Sequence, residues 1–220
     1  MKSIGFLEEL QREVVARHKT ETRRLTDPQP DDYLLNPRGD FILPDGNRAD
    51  LLAHNHLVRP RYKVGEIIYI KEPYIDDIDP DRVFYKYDPA DIQALQDLGY
   101  GEYLDKPGFW RNKQSMPARL ARYFLRITAR HGERLQDITA EGCRKEGIFS
   151  DALECNFGLP NIQCTALETV LGKSWRDAYA SLIDSTYKEG TWRKNPDVWV
   201  YRFEFTTELT AFERRHYGLK

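Results

Sequence analysis

The 220-residue chain has no long apolar run and no cleavable leader pattern, so neither a membrane span nor export is expected. Cysteine is scarce. Cys143, Cys155 and Cys164 have neither the close-pair spacing of a zinc site nor an even count for full pairing, which points to reduced thiols in a cytoplasmic protein. Net charge is also nearly missing: at −2 the chain is no polycation, so any nucleic-acid contact must come from a local patch or be limited to a nucleotide-sized ligand. No phosphate-cradling glycine motif, zinc signature or elbow serine occurs, which leaves NTPase, zinc-deaminase and α/β-hydrolase chemistry without support. No metal and no cofactor is expected.

What is present suits a folded globule, with 40% apolar and 12% aromatic residues. The charge is unevenly placed. Between Arg111 and Arg134 seven Lys or Arg stand against one acid, whereas from Asp76 to Asp105 nine acids face only Arg82 and Lys86. Two readings follow, a pair of solvated faces or a basic stripe turned toward phosphates.

The densest chemistry lies in Arg17-His18-Lys19-Thr20-Glu21-Thr22-Arg23-Arg24, with four strong cations and two hydroxyls in eight residues. On a strand, Lys19, Glu21 and Arg23 point one way and Thr20, Thr22 and Arg24 the other. In a turn, Lys19, Thr22 and Arg24 could instead converge, giving a crowded amine, a hydroxyl and a guanidinium suited to an oxyanion or phosphate. The plain alternative is an exposed basic connection.

Ser3 reads as the cap of a helix to about Arg17, with Leu7, Leu10 and Val14 at helical spacing. Residues 25–60, with five prolines, read as an ordered loop, with Phe41-Ile42-Leu43 before Asp45-Gly46 as a short hairpin. His54 and His56 lie two apart, but no third metal ligand accompanies them. Val64 to Lys71 reads as a strand. The acidic, Tyr-rich excursion over 75–110 reads as a flap with a short helix from Pro89 to Leu98, and its Tyr85, Tyr87, Tyr100, Tyr103 and Trp110 could stack on a base or simply pack. Arg119 to Ala129 and Val198 to Phe205 read as strands, and Thr139 as the cap of a short helix ending near Gly147. Glu146 falls in that helix's last turn, where the macrodipole disfavours a negative charge, which suggests a cationic partner such as Lys19 or an unusual protonation state; the plain alternative is an exposed glutamate paired with Lys145 or Arg144. A longer helix is expected over 165–185.

The ordered set Lys19-Thr20-x-Thr22-x-Arg24, Tyr62 to Glu72, Met116-Pro117, Leu125-Arg126-Ile127-Thr128, Glu133 to Thr139, Glu146-Gly147-Ile148, Trp192, Asn195-Pro196 and Val198-Trp199-Val200 resembles the ASCH domain family of the PUA-like superfamily. The resemblance implies an α+β fold, a PUA-like mixed β-barrel with peripheral helices, as one domain over 1–220 with insertions at about 25–60, 75–110 and 149–190. It implies a cleft for RNA or a modified nucleoside, with no membrane and no obligate protein partner. In some small members a Lys, a Thr three residues later and a Glu are the proposed catalytic set of an N4-acetylcytidine amidohydrolase. By that motif the catalytic candidates are Lys19, Thr22 and Glu146, and Arg23, Arg24, Arg122, Arg126, Glu72 and Trp110 complete the expected substrate contacts. A non-catalytic RNA reader and a metal-independent ribonuclease are the alternatives.

Overall fold

The computed structural model describes residues 1–27, 29, 34–35, 41–42, 60–148 and 175–219. In chain order the strands are β1 (Ser3–Gly5), β2 (Glu21–Leu25), β3 (Leu34–Leu35), β4 (Phe41–Ile42), β5 (Ile67–Lys71), β6 (Tyr74–Asp79), β7 (Arg82–Tyr85), β8 (Phe124–Arg134) and β9 (Asp197–Thr206). The helices are α1 (Glu8–Val15), α2 (Pro89–Asp97), α3 (Ala140–Lys145), α4 (Trp175–Thr186), α5 (Thr191–Lys194) and α6 (Ala211–His216). The class is thus mixed α+β. Among the described residues the strands pair both parallel and antiparallel and close no barrel. No described helix is long and apolar enough to cross a membrane.

The chain divides into two units, the first made of Met1–Glu8, Ile67–Arg126 and Phe205–Lys220 and the second of Glu9–Glu66 and Ile127–Glu204. In the first, β1 runs parallel to β5, and β5 runs antiparallel to the start of β8. Ser3 therefore belongs to a strand and caps no helix. Ile4 lies opposite Ile70 and is buried, and burying an aliphatic side chain is worth about 1.5–3 kcal/mol, more than a cap typically supplies. The strand expected from Arg119 starts at Phe124, because Ala118–Leu120 turns as a 3-10 helix behind Pro117, and it continues to Arg134. In the excursion expected as a flap, Asp88 caps α2 by accepting from Ala90 N, with Pro89 at the first position. Phe84, Leu95 and Leu104 pack there into a core of their own, against which Trp110 rests.

In the second unit the strand order is β8-β9-β2, with β2 antiparallel to β9 and Glu21 opposite Arg202. Leu10 and Val14 of α1 are buried, as are Tyr179, Leu182 and Ile183 of α4. Thr139 caps α3, its hydroxyl accepting from Gly142 N, and Gly147 ends the segment at φ 89°. That left-handed conformation needs glycine here for a second reason: a Cβ would stand 3.2 Å from Glu13 Cβ and 3.3 Å from Lys19 Cβ. Phe41–Ile42 pairs antiparallel with Leu34–Leu35 upstream, and Leu43, Asp45 and Gly46 of the expected hairpin lie outside the described residues. His54, His56, Cys155, Cys164 and the first half of the helix expected over 165–185 lie outside the described residues; its second half is α4.

Candidate functional site

The second unit organises its charges around β2. In the turn that follows α1, Arg17 stands at φ 64°, and the amides of His18 and Lys19 donate back to Glu13 O at 2.9 and 3.0 Å. This tight exit drops Lys19 into the interior, where its side chain is 0% exposed. Thr20 N then donates to Lys145 O at 2.9 Å, which ties the start of β2 to the end of α3.

Lys19 Nζ donates to Glu21 O at 2.9 Å, to Glu146 O at 2.7 Å and to the Glu146 carboxylate. Three acceptors match the three N–H groups of an ammonium. Burial pushes this lysine below its ordinary value, and the Glu146 charge and hydrogen bond oppose the shift. Glu146 Oε1 in turn accepts from Arg23 N at 2.6 Å, Arg23 Nη1 at 3.3 Å and the Tyr179 hydroxyl at 3.4 Å. Burial alone would lower Arg23, but Glu146 and Glu133 carry it upward. Burial, with Glu146 adding to it, holds the Tyr179 phenol well above its ordinary value.

The cluster reaches outward through Arg23. Its Nε donates to Glu133 Oε1 at 2.6 Å, and the other oxygen of Glu133 lies 3.2 Å from His131 Nε2. Burial would raise Glu133, yet the His131 and Arg23 contacts hold it below the usual carboxylate range. On the same side, Glu21 receives Arg202 Nε at 2.6 Å, as directly opposed residues of an antiparallel pair should.

Strand alternation sends Thr22 and Arg24 to the opposite face. Thr22 is 4% exposed and lies opposite Tyr201, and Arg24 lies opposite Trp199. Among the described residues no hydrogen bond joins the Thr22 hydroxyl to Lys19 or Glu146. The amine and the carboxylate meet; the hydroxyl expected beside them does not. The Thr22 face has its own chemistry. Tyr62 and Tyr201 meet edge-on at 5.0 Å, the Arg61 guanidinium sits 5.6 Å from the Tyr62 ring centre, and Arg130 sits 5.0 Å from that of Trp199. Burial raises the Tyr62 hydroxyl, against the pull of Arg61 and Arg24. It also raises Tyr201, against hydrogen bonds from Tyr62 and Arg61 and the charges of Arg130 and Arg61. Three guanidinium groups thus act on one aromatic floor.

The remaining expected contacts belong to the first unit. Arg122 grips Glu72 in a fork, at 3.0 and 2.8 Å, also pairs with Asp88, and lies 4.1 Å from the Tyr85 ring centre and 4.6 Å from that of Tyr123. Arg126 pairs with Glu213, and the Trp110 indole donates to Leu104 O at 2.8 Å. These side chains are engaged in the unit's own packing. No group of three or more His, Cys, Asp or Glu among the described residues could hold a metal ion.

Sequence reasoning missed Tyr179, Glu133 with His131, and the grouping of Arg61 and Arg130 with Arg24. Tyr179 had a signal, since a phenol at helical spacing between Trp175 and Leu182 asks for a buried partner. The arginine grouping had none, because it joins three distant segments. No protein-family model, no curated protein and no solved structure matches the chain.

Proposed function

We propose that the protein is a PUA-like module of the ASCH type that binds RNA or a modified nucleotide through the arginine face of β2 and β9. One observation carries this reading. Alternation along β2 turns Arg23 inward onto Glu146 and Glu133, beside Lys19, and turns Arg24 to the face where Arg61 lies over Tyr62 and Arg130 over Trp199. Planar guanidinium groups braced on aromatic rings are pre-organised phosphate ligands, and they need no positive net charge on the whole chain. The test is the affinity for a labelled single-stranded RNA against potassium chloride concentration. Replacing Arg24, Arg61 or Arg130 with alanine lowers the log–log slope by about 0.7 for each phosphate that the guanidinium had neutralised. Binding insensitive to salt, or unchanged in all three variants, refutes the reading.

A second reading, N-acyl amidohydrolysis of a modified cytidine, is favoured by the burial-lowered Lys19 in contact with Glu146. In it the attacking group is water and not Thr22, and the Lys19–Glu146 clasp, closed to solvent in the resting protein, has to open onto the substrate before Lys19 takes the proton of the water and Glu146 passes one to the departing amine. Loss of the ultraviolet band of N4-acetylcytidine, abolished in Lys19→Ala, supports it; no turnover by the parent protein rejects it.

A further inference from the structure

The second unit holds a cavity of about 710 Å³ at the start of α3 and the first turn of α4, and neither the arginine face nor the Lys19 cluster uses it. Its lining includes Asp137, Ile138, Thr139, Trp175 and Arg176. The volume lies in the range of small-molecule sites, about 300–1,000 Å³. Two of its walls are fixed by contacts of their own. Arg144 sits 5.2 Å from the Trp175 ring centre, and Arg176 sits 5.4 Å from that of Trp192, which Tyr179 meets edge-on at 6.1 Å. An indole held by one arginine and a second arginine braced on another indole therefore border one hollow. Of the lining residues, Ile138 is itself buried.

Such a lining asks for a ligand with three parts: a flat ring for the indole, an anion for the guanidinium, and an N–H donor for the Asp137 carboxylate. We infer that this cavity binds a nucleoside monophosphate, with the base against Trp175, the phosphate at Arg176 and an amine edge of the base toward Asp137. A bare anion would leave the ring wall and the carboxylate unused, and an uncharged nucleoside would leave the arginine unmatched. The site shares no residue with the arginine face, so it stands or falls separately from the RNA-binding reading.

The experiment titrates the full chain with guanosine monophosphate, guanosine and inorganic phosphate, followed by tryptophan fluorescence and by calorimetry. The monophosphate gives saturable quenching, guanosine binds about tenfold or more weakly, and phosphate alone gives none. Arg176→Gln reduces monophosphate affinity to that of guanosine. Trp175→Leu removes the quench and weakens binding about tenfold or more in calorimetry. Arg176 is exposed, so its variant keeps the parent's circular dichroism and melting temperature, and it decides the matter if Trp175→Leu unfolds. Arg24→Ala and Arg61→Ala leave monophosphate binding intact. The proposal is overturned if the monophosphate shows no saturable binding up to millimolar concentration, if Arg176→Gln binds it like the parent, or if binding is abolished instead in Arg24→Ala or Arg61→Ala.

Discussion

Replacing Glu146 with Gln strikes the buried cluster at its centre. The carboxamide keeps the shape and leaves Lys19 Nζ beside two backbone oxygens, Glu21 O and Glu146 O, but it removes the charge that opposes the cost of burying an ammonium. The lysine then falls further below its ordinary 10.5 than in the parent. A base whose folded value lies below its unfolded value holds fewer protons folded than unfolded in the window between the two. Stability therefore rises with pH across that window, and the burial cost is complete below it. In Glu146→Gln the lower edge of the window moves down. Below about pH 8.5, in the interval between the variant's lowered edge and the parent's own, the variant should gain stability with pH more steeply than the parent, by at most about 1.4 kcal/mol per pH unit for one proton. At the acid end the variant should be less stable by about 3–5 kcal/mol, the usual cost of breaking a buried ion pair. The range stops there because burial raises the Cys143 thiol to about 11 and the Tyr179 phenol well above its own ordinary value. Groups held protonated in this way withdraw stability at higher pH. Urea unfolding midpoints across the range, with constant m-values, measure the difference. Parallel pH curves for variant and parent would refute the reasoning.

Gly147→Ala puts on a left-handed residue a Cβ that would stand within 3.3 Å of Glu13 and Lys19 carbons, and should lower stability by about 1–3 kcal/mol in thermal unfolding. Arg122→Ala removes the guanidinium fork from the fully buried Glu72 carboxylate and should cost about 3–5 kcal/mol. Arg126→Ala, whose side chain is 41% exposed, should cost under about 1 kcal/mol; equal losses for the two arginines would contradict this account of the first unit. Arg61→Ala should weaken RNA binding at low salt and leave the urea midpoint nearly unchanged, whereas Arg23→Ala should do the reverse.

What could be read from the sequence was what short-range rules govern. Thr139 as a cap, Gly147 as a left-handed end, the Pro89 helix and the aromatic strand near Val198 each carry their signal within a few residues. The Lys19–Glu146 contact left a local trace too, a carboxylate in a helix's last turn where the dipole disfavours it. Ser3 misleads a local reading because its strand depends on a partner more than sixty residues away. The Thr22 position turned on whether the basic segment was strand or turn, and pairing with β9 makes it a strand. That pairing is set by residues near the far end of the chain, out of reach of any local pattern.

The clasp between Lys19 and Glu146 closes a span of 127 residues. A salt link of that reach gives nothing back until the distant segments have already docked, so its formation belongs to the last stage of assembly. Weakening it should leave the refolding rate almost untouched and hasten the escape from the native state. The lifetime of the folded protein then rests on a lysine that the solvent never touches.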